Sequence, residues 1–171
     1  EVEVHMYDTV AVSIMPLDLV VYKTSEETLK TFLNMKSIFL PTSLESIASG
    51  AFSRCTSLET LHIPENVSSI GGSILAGSSN VSAITVATTN QYYDSRDNCN
   101  AIIETETNTL IAGCMNTTIP NSITSIGNSA FESSPLSSIT FMGTMEEWNK
   151  IKKDEEDFFG TDEGVSYNVL V

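Results

Sequence analysis

Apolar residues in this chain recur at fixed offsets. The segment SLESIASGAF, Ser43 to Phe52, returns in pattern as NVSSIGGSIL from Asn66 and as NSITSIGNSAF from Asn121. Pro41 and Pro64 lie 23 residues apart, and the same step carries Leu44 to Val67, Ile47 to Ile70, Phe52 to Leu75, Leu58 to Val81, Leu61 to Ile84 and Ile63 to Val86. A period in the low twenties with aliphatic residues at each offset predicts a leucine-rich-repeat solenoid. A unit of this size cannot bury its own apolar side chains, so it must stack on a neighbour carrying the same residues in the same places.

Within a repeat, Leu61 and Ile63, or Ile84 and Val86, alternate with polar neighbours, which predicts a short strand. A second extended piece, Leu44 to Ile47 or Val67 to Ile70, precedes a tight turn that delivers Phe52 or Leu75 to the core. Gly50 and Gly71 are the expected donors of backbone freedom there. Between 88 and 118 the period breaks at AIIETETNTLIAG, two apolar runs around a polar turn, which predicts an inserted β-hairpin. With Glu106 and Thr107 central, Ile102 faces Ile111, Ala101 faces Ala112 and Cys99 faces Cys114. A further repeat runs from Ile119 to Phe141, with Phe131 79 residues after Phe52.

The two ends read as caps. Residues 1–36 form an N-terminal capping region, with strand-like EVEVHM and VAVSIM, then a short helix capped by Ser25 that places Leu29, Phe32 and Leu33 on one face. Pro16, 25 residues before Pro41, suggests a degenerate first turn. Residues 37–171 form the repeat domain. Its C-terminal cap, 143–171, holds a helix over GTMEEWNKIKK with Met145, Trp148 and Ile151 on its apolar edge.

Charge narrows the function. Eight Lys and Arg against 22 Asp and Glu give a formal charge of −14, which excludes nucleic acid and anionic membrane as partners, since both demand a cationic surface. No apolar run reaches membrane-spanning length, because Ser13, Pro16 and Asp18 interrupt the most hydrophobic stretch. The chain opens on Glu1 with no visible signal segment, as expected of a mature or excised polypeptide.

An apolar strand ending in Ile-Pro, then V-x-x-I-G, A-F-x-x-C and L-x-x-I, resembles the BspA-type leucine-rich repeats. Ser43 to Pro64 carries Ala51, Phe52, Cys55, Leu58, Leu61, Ile63 and Pro64 in place. The repeat from Asn66 departs, with Ile74-Leu75 for Ala-Phe and Ser78 for Cys. The resemblance covers Ser37 to Ile151. It implies a right-handed, β-rich coil (α/β by class convention) with short parallel strands, turns or short helices, and a hairpin that projects or caps locally; the capping helices read at both ends complete the expected fold. It also implies a secreted or surface-anchored bacterial protein with adhesin-like binding.

Catalytic chemistry is not legible. His5 and His62 lack the spacing of a triad or dyad, and no Cys/His cluster suggests zinc. Asp94, Asp97 and Asn98 lack the order of a calcium loop, the glycines of SIGGSILAG form no phosphate cradle, and no cofactor is expected. Cys99 and Cys114 are either a cross-strand disulfide or two packed thiols. Asn66, Asn80 and Asn116 open N-x-S/T triplets. The leading reading is a non-enzymatic recognition module whose outward sheet positions, Phe39, Thr60, His62, Thr85, Ser138 and Thr140, meet a matrix or cell-surface protein. The alternatives are a structural spacer and a glycan-binding module.

Overall fold

The computed structural model describes residues 35–132, 134, 136, 138–153 and 168–171. The expected N-terminal strands and the helix after Ser25 lie outside these residues. These residues form a β-solenoid of about five turns with little helix. One ladder begins where Ser37 bridges Thr60. It continues through β2 (Thr60–Ile63) and β4 (Ala83–Val86), parallel and in register at the 23-residue offset, Thr60 beside Ala83 and Ile63 beside Val86. Past the hairpin it resumes as β8 (Thr118–Ile119), β10 (Ser138–Phe141) and β12 (Asn168–Leu170), also parallel. Apolar residues of β2, β4 and β10 point inward and polar ones outward, as the alternation requires.

A second ladder starts with β1 (Ser46–Ile47) and β3 (Ser69–Ile70), again parallel at an offset of 23. It carries β5 (Tyr93–Asp94), β6 (Ala101–Glu104) and β7 (Thr109–Gly113), then β9 (Ser125–Ile126) and β11 (Lys152–Lys153). The strands β5, β6 and β7 are antiparallel, whereas β7, β9 and β11 are parallel. Between β3 and β5 the Ile70 amide donates to the Tyr93 hydroxyl at 3.0 Å, so a side chain continues the contact where strand pairing stops. A third side is made of turns, tied by Gly50 N–H to Gly72 O, Phe52 N–H to Ile74 O and Arg54 N–H to Ala76 O.

Asparagines fasten one coil to the next. The amides of Asn66, Asn80 and Asn116 donate to the carbonyls of Thr42, Thr56 and Ser82 respectively. The N-x-S/T triplets therefore coincide with inter-coil clamps. Buried Asn90 does more: its amide donates to Pro64 and Val67 carbonyls, and its Oδ1 accepts the Tyr92 and Tyr93 amides.

The turn chemistry departs from expectation at one glycine. Gly50 has φ +67°, and the equivalent positions 23 and 79 residues on, Ser73 and Ser129, also take left-handed φ, 53° and 55°. Gly71 is required for space instead. A Cβ there would sit 2.3 Å from the Ser49 amide nitrogen of the preceding coil.

The hairpin corrects a larger expectation, because it neither projects nor caps. Ile102 and Ala112 pack into a cluster with Phe52, Leu61, Leu75 and Ile84. Ala101, Ile103 and Leu110 pack into a second cluster with Phe131, Ile139 and Trp148. Both faces are buried, which is why AII and LIAG read as continuous apolar runs. Expected pairing holds at Ile103–Leu110 and Glu104–Thr109. An irregularity between Ile102 and Ile103 then moves Ile102 opposite Ala112 and Ala101 opposite Gly113. Phe131 closes over Gly113, where a Cβ would lie 2.2 Å from the ring. The hairpin thus stands between Phe131 and the column formed by Phe52 and Leu75.

At the C-terminal end the expected cap is a single turn, α1 (Met145–Trp148), held by a capping box between Thr144 and Glu147. Trp148 and Ile151 are buried, while Met145 is exposed. Trp148 meets Phe141 at 5.5 Å and carries the Lys153 ammonium 4.3 Å above its ring. The chain then returns to both ladders as β11 and β12, so this helix does not end the stack.

Gly113→Ala is expected to destabilise the fold by about 1–3 kcal/mol, because the Phe131 ring must shift in a packed core. Gly72→Ala, with open space at its Cβ, is expected to stay within about 0.5 kcal/mol. Urea unfolding of the two variants checks the contrast.

Candidate recognition face

The outward side of the first ladder carries the residues expected from sequence. Thr60, His62, Thr85 and Thr140 are exposed, Ser138 is half-buried, and Phe39 is 63% exposed. Register brings His62 beside Thr85, with Nδ1 2.9 Å from Oγ1. Phe39 lies two residues beyond Ser37 as His62 lies two beyond Thr60, so the same alignment carries Phe39 into the row. Phe39, Thr60, His62 and Thr85 therefore form one group. Ser138 and Thr140 do not join it: they belong to the separate three-stranded sheet of β8, β10 and β12, where Thr140 pairs with Thr118 and Leu170. The hairpin base divides the face into two.

Two pairs of neighbours escaped the sequence reading. Lys36 Nζ donates to Glu59 Oε1 at 2.7 Å beside the first group, and this hydrogen bond to the carboxylate raises the lysine's pKa. Their separation equals the repeat period, a signal that was available. Leu170 and Met142, about half exposed, border the second group. Leu170 lies beyond the legible repeats, so no offset pointed to it.

Asp94 is engaged by Arg96, whose Nε and Nη2 donate to its carboxylate while Nη1 donates to Asn108 Oδ1 at 2.7 Å. This network ties the residues after β5 to the hairpin turn. Asp97 and Asn98 are exposed and left-handed, at φ 57° and 53°. Among the described residues no group of three or more His, Cys, Asp or Glu is placed to hold a metal ion.

The three cysteines are buried free thiols. Cys99 packs in the second core cluster and Cys114 in the first, so the two face opposite sides of the hairpin. Their sulfurs point to different carbonyls, Ala101 for Cys99 and Asn100 for Cys114. The expected opposition of Cys99 and Cys114 is lost to the register shift after Ile102, and the structure contains no bond between them. Cys55 N–H donates to Ser78 Oγ, the hydroxyl that replaces cysteine one repeat later and itself donates to Phe52 O. Burial raises the pKa of all three thiols, that of Cys99 to about 11.

Against known sequences, the BspA type leucine rich repeat region matches residues 22–152 in six copies. The match reaches into residues 22–36, which the sequence reading assigned to a cap. No curated protein matches significantly. Among solved structures, a leucine rich cell surface protein from Faecalibacterium prausnitzii is 28% identical, with a TM-score of 0.51 over 61% of this chain and 28% of that one. The pneumococcal vaccine antigen PcpA is 19% identical, with a TM-score of 0.49 over 63% of this chain and 34% of that one. The chain thus spans about a third or less of either protein. Among the described residues no helix is long and apolar enough to cross a membrane.

Without reductant, three thiols are expected to titrate after denaturation and none rapidly in the native protein at pH 7, since the reactive thiolate is suppressed. Two of three missing after denaturation would establish a bond. Because the folded pKa of Cys99 exceeds the unfolded one, its contribution to stability is full below about pH 9 and is lost as pH rises toward 11. Urea midpoints at pH 8 and 10.5, compared with those of Cys99→Ala, read out that loss.

Proposed function

The chain belongs to the BspA-type leucine-rich-repeat family, and we propose that it is a non-enzymatic, extracytoplasmic recognition module of adhesin type. Family membership and the likeness to a cell surface protein support a surface repeat module. One observation carries the step to recognition: Phe39, Thr60, His62 and Thr85 project from one rigid ladder whose inward residues, Leu61, Ile63 and Ile84, are at most 1% exposed. Side chains on such a support are held in place before a ligand arrives, which lowers the entropic cost of binding.

Among the described residues no combination of nucleophile, base and orienting group points to a catalytic reading. The face lacks the Trp, Tyr and Arg anchors of strong protein hot spots, so single-site affinity is modest and many copies on a surface supply avidity. This weakness also favours the second reading, a spacer that holds another domain away from the surface.

Immobilised protein is screened against matrix proteins and glycans, alongside the triple variant Thr60→Ala, His62→Ala, Thr85→Ala. Saturable binding weakened about tenfold or more by the variant, equivalent to roughly 1.4 kcal/mol, is the expected result. Binding unchanged by the variant removes this face, and no saturable binding at all favours the spacer.

A further inference from the structure

We propose that the row Phe39–His62–Thr85, with Thr60 beside it, takes an uncharged glycan. This rests on the recognition reading and narrows its ligand class. The backbone limits what can bind. β2 itself is occupied on both flanks, by the Ser37 bridge at Thr60 and by β4, so a peptide adding as a strand would have to use another edge. At the centre of the row, His62 meets a ligand through its side chain.

The row's side chains suit a sugar. The Phe39 ring is largely exposed and offers an apolar face to the C–H side of a pyranose. His62 is held through Nδ1 by the Thr85 hydroxyl, which fixes the imidazole and leaves Nε2 as a polar group for a sugar hydroxyl. Thr60 adds an exposed hydroxyl on the same strand. With strands about 4.8 Å apart, the row from Phe39 to Thr85 spans roughly 10 Å, the scale of a disaccharide.

Charge selects against the acidic alternatives. The neighbouring Lys36 is paired with Glu59 at 2.7 Å, so among the described residues beside the row it is not an unpaired cation for a carboxylate or sulfate. The chain's net −14 repels polyanions. A neutral row on an acidic molecule matches a neutral ligand.

The test is a two-dimensional amide NMR titration of the full chain with mannohexaose, maltohexaose and chitohexaose, and with a heparin hexasaccharide as the charged control. At millimolar concentration at least one neutral oligosaccharide is expected to shift Phe39, Thr60, His62 and Thr85 together, while heparin does not. Phe39→Ala, at an exposed position, should weaken that binding about tenfold or more, and Phe39→Trp should retain it. Absence of shifts with all three neutral probes, or equal shifts with heparin, overturns the proposal. A matrix protein that binds through Thr60, His62 and Thr85 while every sugar fails would leave the recognition reading standing and remove the glycan. Failure of both would remove the two together.

Discussion

Each coil of this protein is too small to shelter its own apolar side chains, and that constraint governs the rest. Leu61 and Ile63 are buried because Ile84 and Val86 lie in register beside them. Fully burying such a side chain contributes about 1.5–3 kcal/mol, available only when a neighbour repeats the same residue at the same height. Polar groups obey the same rule. Ser78 takes up the Cys55 amide and the Phe52 carbonyl of the coil before it, and Asn66 and Asn80 bond back in the same way. Stability is thus spread along the stack and held in no single unit.

The hairpin is the point where this repetition changes form without stopping. Its strands replace a coil, one face completing the first core cluster and the other opening the second. Asn90 and Tyr93 bring the chain into it, and Gly113 lets Phe131 close on its far side. The substitution has a geometric consequence. The outward face of the first ladder becomes two short sheets, so Phe39, His62 and Thr85 lie as a compact group apart from Thr140.

Sequence period alone revealed the ladders, since Leu61 to Ile84 and Ile47 to Ile70 are aligned as their spacing requires. Outward Thr60, His62 and Thr85 followed from alternation on those strands. Features that break the period were less legible. A one-residue shift after Ile102 leaves no mark in an apolar run, yet it decides where Cys99 and Cys114 face. Gly71 and Gly50 look alike as letters, although one serves a close backbone approach and the other a left-handed turn. Burial of the hairpin on both faces was implicit in AII and LIAG, but the family resemblance implied a hairpin that projects or caps.

Native-state hydrogen exchange, resolved by residue, tests the mutual shelter of the coils most directly. If the hairpin is a buried rung, the amides of Ile103 and Leu110 exchange only through the same global opening that exposes Ile63, Ile84 and Phe131. Exchange at Ile103 and Leu110 that is orders of magnitude faster than at Ile84 would show a separately opening hairpin and contradict the account.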